Sequence, residues 1–181
     1  EDSQVCLEDF VSRAEVVSTT GCVVMVSDFR EHHRLIAYLS RYTHEPIGLA
    51  MGLATLRSLF EERYYDDLDG GILENFGRIF KDKNQLLIYP LKNPVNCKIE
   101  TLDNLVLDQS LDHLFRYLLE RDCIVKLDGV AHHHLDIQSP DVLKMIECGD
   151  AEWVEMVPPC VSRIIKDRNL FGYMASAGGR R

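Results

Sequence analysis

The chain has 181 residues, 46% of them hydrophobic, which is the size of one ordinary domain with a substantial core. Its net charge of −9 argues against non-specific binding to nucleic acid or an anionic membrane face, since both need clustered Lys and Arg. No run approaches the length of an apolar membrane-spanning helix, so no membrane insertion is expected.

Residues 1–21 read as a polar lead-in, in which Val5, Leu7, Phe10, Val11 and Ala14 can form a short amphipathic helix. The chain opens on Glu1 without Met, which suggests a piece of a longer protein or a processed form. Cys22–Val26 (CVVMV) is β-prone and short, as a buried strand would be. Asp28 followed by Glu31 has the spacing of a capping box. The helix it opens should bury Leu35, Ile36, Leu39 and Tyr42 and stop before Pro46.

Ile47–Leu53 is the next strand candidate, and Thr55–Tyr65 a helix with Leu56, Leu59 and Phe60 inward. Tyr64–Phe80 (YYDDLDGGILENFGRIF) then joins an acidic loop, a Gly-Gly pair and a short helix. Asp69 stands where an N-cap should stand, and Leu73, Phe76 and Phe80 share one helical face. Gly70 and Gly71 either make a turn or let a ligand or neighbouring chain come close. Leu86–Leu91 is an apolar strand, and Lys92–Glu100, with Pro94, reads as a connector and a possible sub-boundary over 92–100.

Leu111, Leu114, Phe115, Leu118 and Leu119 fall at helical spacing, and Cys123–Leu127 is a strand closed by Asp128-Gly129. Ser139-Pro140-Asp141 starts a helix that Gly149 stops. Asp150 restarts a short helix through Trp153, Pro158-Pro159 ends it, and a last helix stops near Asn169. Residues 174–181 read as a frayed tail. The rhythm predicts an α/β fold over 22–173, with a mixed or mostly parallel sheet of about four strands flanked by helices and a helical C-terminal part.

The six cysteines are spread out with no C-x-x-C, which points to an intracellular reducing compartment, cytoplasm or organelle interior, without disulfides or a zinc knuckle. Of His132-His133-His134, strand alternation allows at most His132 and His134, with Asp136, to serve one ion, and a polar loop or edge strand explains the run as well. Neither a metal nor a cofactor is expected. The acids Glu61, Glu62, Asp66, Asp67 and Asp69 read either as a solvated helix end or as a set for acid–base work or Mg²⁺. Ser27, Asp28 and His32 follow a strand candidate, where open α/β sheets bind ligands; otherwise Asp28 is a cap and His32 is solvated. G-x-G-x-x-G, the P-loop, H-E-x-x-H and G-x-S-x-G are all missing from the chain.

Leu35–Gly52 (LIAYLSRYTHEPIGLAMG), Tyr64–Phe80, Leu114–Val125 (LFRYLLERDCIV), Ser139–Pro159 (SPDVLKMIECGDAEWVEMVPP) and Ile164–Tyr173 (IIKDRNLFGY) together carry a resemblance. They are similar to the C-terminal region of a little-characterised family of cyanobacteria and other bacteria, over roughly Val23 to Tyr173. Its members are often labelled nicotinate- or nicotinamide-nucleotide adenylyltransferases or "TonB box" proteins. The resemblance implies a longer N-terminal part before Glu1. The adenylyltransferase label would require an H-x-G-H signature, which this chain lacks, so no catalytic residue carries over.

Two functions follow as expectations. The first is a non-catalytic α/β scaffold, accessory or interaction subunit that works with other protein subunits in a larger assembly. The second is an enzyme or sensor for a nucleotide or related phosphate compound, with Ser27, Asp28, His32, Asp69, Gly70 and Gly71 facing one cleft.

Overall fold

The computed structural model describes residues 7–93, 97–129 and 131–174. The lead-in does form a helix, α1 (Leu7–Ser18), with Glu8 and Asp9 at its positive end and Arg13 paired to Asp9 at 2.7 Å. Cys22–Val26 is not a strand. It runs irregular and exposed, Val23 at 97%, because no neighbouring strand supplies partners for its backbone.

The helix α2 (His32–Leu39) starts four residues after Asp28, with Glu31 in the cap position and no side-chain cap. The expected Asp28 cap is therefore wrong: its carboxylate is too far back along the chain to reach the first-turn N–H groups. Ile36 is buried, but Tyr42 lies past the helix end and is exposed. The strand β1 (Gly48–Gly52) feeds directly into α3 (Leu53–Leu59), which buries Leu53, Leu56 and Leu59. The helix foreseen over Thr55–Tyr65 breaks at Phe60 and resumes as a 3-10 turn, Glu62–Tyr65.

In α4 (Gly71–Ile79) Gly70, not Asp69, is the cap residue. Glu74 reaches back and accepts the Gly70 N–H at 2.8 Å, while Asp69 is exposed. A side chain on Gly70 would meet Glu74 Cβ at 2.8 Å, and Gly71 sits at φ +53, so the pair is explained by the turn itself. The buried stripe is Ile72, Asn75, Phe76 and Ile79; Leu73 is 65% exposed, one residue out of phase with that face.

Strand β2 (Gln85–Tyr89) pairs parallel with β1, Gly48 opposite Gln85 through Gly52 opposite Tyr89. The segment 92–100, read as a connector, contributes to a short antiparallel pair, β3 (Leu91–Lys92) with β4 (Ile99–Glu100); Pro94 lies outside the described residues. Helix α5 (Gln109–Glu120) then buries Leu111, Phe115 and Leu118 before β5 (Ile124–Lys126) joins the far edge of β2 in parallel. The sheet order is β1-β2-β5, with helical crossovers between each strand and the next. Three strands rather than four build it, because Cys22–Val26 stays out.

Helix α6 (Ser139–Cys148) has Pro140 in its first turn and ends at Gly149 with φ +77, as the sequence predicts. Ser139 is already helical and Gln138 holds the cap position. Asp150 caps a 3-10 segment, Ala151–Met156, by accepting the Glu152 N–H, and α7 (Pro159–Arg168) ends at left-handed Asn169. The expected tail at 174–181 lies, apart from exposed Met174, outside the described residues.

The fold is therefore mixed α/β: a three-stranded parallel sheet, a small antiparallel pair and a helical C-terminal part. Its contacts divide the chain into two units: residues 28–135, and residues 7–27 with 136–174. The divisions fall after Ser27 and after Leu135, and 92–100 sits inside the first unit. In the first unit, Leu86 and Ile88 of β2 pack with Leu53, Leu56, Ile79, Phe76, Phe60 and Phe115. Trp153 centres the core of the second, with Val142, Ile146, Val161 and Ile165.

Candidate functional site

Asn84 anchors the start of the sheet in the unit 28–135. It is buried, its Oδ1 accepts the Ile47 N–H at 2.8 Å, and its Nδ2 donates to the Ile79 carbonyl at 3.1 Å. That one side chain ties the entry of β1 to the end of α4. Helices α2 and α4 pack against each other, and between them two polar side chains are buried, His33 and Asn75. The His33 Nδ1 lies 3.1 Å from Asn75 Oδ1, a bond in which the ring nitrogen donates when it carries the proton.

Asn75 is 1% exposed, and its Nδ2 has no acceptor among the described residues. Buried amide donors left without a partner cost about 1–3 kcal/mol, so such a group calls for an explanation. Asn75 lines a pocket of about 410 Å³, within the range of small-molecule sites. Arg30, Glu31 and His32 form another part of its lining, at the amino end of α2. Thr55, Ser58 and Leu59 of α3 form a further part, and α3 begins at the carboxyl end of β1, where open parallel sheets place their ligands. Tyr64 and Tyr65 complete it.

The electrostatics of this lining are modest. Burial, and then the neighbouring His33, hold the His32 imidazole below its usual value, so at pH 7 it is neutral and both donates and accepts. Burial, with Glu61 and Tyr64 adding to it, pushes the Tyr65 phenol up to about 12; its hydroxyl donates to the Leu59 carbonyl at 2.9 Å, which fixes the ring. Glu31 faces Arg34 at 3.6 Å, whereas the exposed Arg30 has neither an ion pair nor a hydrogen bond among the described residues. Tyr64 is half exposed with the Arg63 guanidinium 4.9 Å from its ring centroid, and Arg63 in turn pairs with Glu61. The Ser58 hydroxyl donates to its own helix at the Ala54 carbonyl, 3.3 Å away, and is not engaged by a base. Among the described lining residues no nucleophile is paired to a base.

Of the six residues foreseen as one cleft, His32 alone lines this pocket. Ser27 and Asp28 are exposed in the irregular stretch before α2. Asp69, Gly70 and Gly71 form the turn into α4, where Glu74 engages the backbone that a ligand would have used. Glu74 itself is held below the usual carboxylate range by the Gly70 N–H first and by Arg78 as well. The lining residues that sequence reasoning missed include Arg30, Thr55, Ser58 and Asn75. Asn75 did carry a signal: it is a polar residue on the buried stripe Ile72, Phe76, Ile79, where an apolar one is expected.

The histidine run 132–134 forms part of a 3-10 turn, His132–Asp136, and not a strand, so alternation of faces does not apply to it. The side chains of His132 and His133 lie outside the described residues. Among the described residues no three His, Cys, Asp or Glu side chains converge as metal ligands. Cys22, expected as a buried hydrophobe, is exposed, and Cys22, Cys97, Cys123, Cys148 and Cys160 are free thiols. No helix among the described residues is long and apolar enough to cross a membrane. Comparison with protein-family models, with curated proteins and with solved structures finds no match.

Proposed function

We propose that this chain is a small-molecule-binding α/β module that holds its ligand in the pocket between the start of α2, α3 and α4, and that it serves a larger protein or assembly. The observation that carries the reading is Asn75, a residue of the pocket lining whose buried amide N–H₂ lacks an acceptor among the described residues. A bound molecule that offers an acceptor removes that cost, and the gain is available only in the folded state.

A thermal-shift screen of a fragment library tests this, with NAD, NMN and ATP included because of the family resemblance and each run with and without Mg²⁺. Ligands selective for the native state raise the melting temperature. Ser58→Trp places a bulky ring in the pocket from an exposed position and should erase the shifts of pocket ligands. A library with no hit that responds to Ser58→Trp overturns the reading.

An interaction role is the second reading, favoured by a different observation. Val23, Val24, Met25 and Val26 are consecutive and exposed, in a stretch with no secondary structure. Monomeric proteins seldom leave such a run uncovered. Light scattering behind size exclusion compares the chain with Val23→Ser/Met25→Ser; self-association lost in the variant supports this reading, and a monomer in both overturns it.

A further inference from the structure

We propose that the pocket beside Asn75 takes a monocarboxylate built on a flat ring with a carbonyl-type acceptor on its edge, and not a phosphate compound. The proposal rests on the ligand-binding reading above and adds the chemical class. Three features of the lining set that class.

The first is the amide. Asn75, a lining residue at 1% exposure, spends its Oδ1 on His33, and its Nδ2 has no partner among the described residues, so a ligand that brings an acceptor satisfies a buried donor. The second is shape. Tyr64 and Tyr65 both line the pocket, and the Tyr65 ring is pinned through its hydroxyl to Leu59. Flat rings pack on such aromatic walls in offset or edge-on geometry, at low entropic cost because the wall is already fixed.

The third is charge. Among the described lining residues Arg30 alone brings a positive charge at neutral pH, since His32 is neutral there, and Glu31 adds a negative charge beside it. A phosphate monoester carries about −1.5 to −2 at pH 7 and is usually met by several donors or a second cation. A carboxylate carries one charge, and the planar fork of a guanidinium matches its two oxygens. Arg30 has no other partner among the described residues, so this pairing breaks none there. The inventory matches one negative charge and leaves a second or third unmet.

Four probes separate these features by calorimetry on the 181-residue chain. Orotate has a flat ring, edge carbonyls and one carboxylate. Uracil lacks the carboxylate, benzoate lacks the edge carbonyls, and UMP replaces the carboxylate with a ribose phosphate. Orotate should bind at least tenfold more tightly than uracil or benzoate, and more tightly than UMP. Arg30→Gln should lower orotate affinity at least tenfold and leave uracil unchanged. Asn75→Leu should bring orotate down to the level of benzoate while benzoate stays the same, with circular dichroism as a check on folding. If Asn75→Leu fails to fold, Arg30→Gln at its exposed site still decides.

UMP binding more tightly than orotate, or Arg30→Gln having no effect on orotate, overturns the carboxylate class. So does failure of all four probes. In each of these cases a library fragment lost on Ser58→Trp leaves the ligand-binding reading standing, so the two failures are distinguishable.

Discussion

His33 and Asn75, 42 residues apart in the chain, meet in the packed seam between two helices with Nδ1 and Oδ1 3.1 Å apart. Neither side chain is solvated, and the amide keeps one hydrogen-bonding group in hand. Replacing His33 alone leaves Asn75 with both ends unmet. His33→Leu should therefore cost about 1–3 kcal/mol in urea denaturation. His33→Leu/Asn75→Leu removes both partners for apolar groups of similar size and should recover much of that loss. A double variant less stable than His33→Leu would show that the amide is satisfied in the ligand-free chain.

The Tyr65 phenol makes the unit 28–135 sensitive to alkali. Its folded value of about 12 lies above the ordinary value of 10. An acid that holds its proton more tightly when folded contributes stability that is complete below pH 10 and falls away as the pH rises from 10 to 12. Tyr65→Phe should flatten that decline in melting temperature, while at pH 7 it should cost about 1 kcal/mol for the lost bond to Leu59. An unchanged alkaline slope in Tyr65→Phe would place the sensitivity elsewhere.

Glu74 works at the opposite end of the pH scale. The Gly70 N–H and then Arg78 hold its carboxyl below the usual range, so its contribution is present above the unfolded carboxylate value and is lost as the pH falls through the folded one. Glu74→Gln keeps an acceptor for Gly70 but no charge. It should melt somewhat below the parent at pH 7 and show a shallower loss as the pH falls through the carboxylate range, whereas Glu74→Ala should melt lower still at pH 7. If Glu74→Gln loses as much as Glu74→Ala at pH 7, the charge rather than the backbone bond is what matters there.

The parts of the fold legible in the sequence are those where composition and partner agree. Ile47–Leu53, Leu86–Leu91 and Cys123–Leu127 have strand composition, and the sheet is built on those three runs, with β2 starting one residue earlier at Gln85. Gly149 and Asn169 were read as helix stops, and both adopt left-handed backbone angles. Cys22–Val26 has equal β-propensity, but a strand exists only where another strand completes its hydrogen bonds, and a run of apolar residues cannot report that. In α4 the stripe was read one residue late, from Leu73 and not Ile72, because the apolar pattern passes over Asn75. That same omission hid the site. A pocket needs residues from α2, α3 and α4 together, and no local spacing joins His32, Ser58 and Asn75 before the chain folds.

Asn84 offers the plainest test of how the pocket is supported. It is buried, and its two bonds join Ile47 at the mouth of β1 to Ile79 at the end of α4. β1 leads straight into α3, and α4 carries Asn75, so this one amide registers two walls of the pocket against each other. The residues just before it, Asp82 and Lys83, take left-handed angles at φ +60 and +63, a tight path that delivers Asn84 to its place. Asn84→Ala strips a donor from the buried Ile79 carbonyl and an acceptor from the half-buried Ile47 N–H, and should cost about 2–4 kcal/mol in urea denaturation. Asn84→Asp keeps the acceptor for Ile47 but loses the donor to Ile79 and buries a charge, so it should be no better tolerated. In ligand titrations Asn84→Ala should weaken pocket binders through loosened walls, whereas Asp28→Ala, outside the lining, should leave both stability and binding close to the parent. Full affinity in a folded Asn84→Ala would mean that α3 and α4 hold the pocket without this tie.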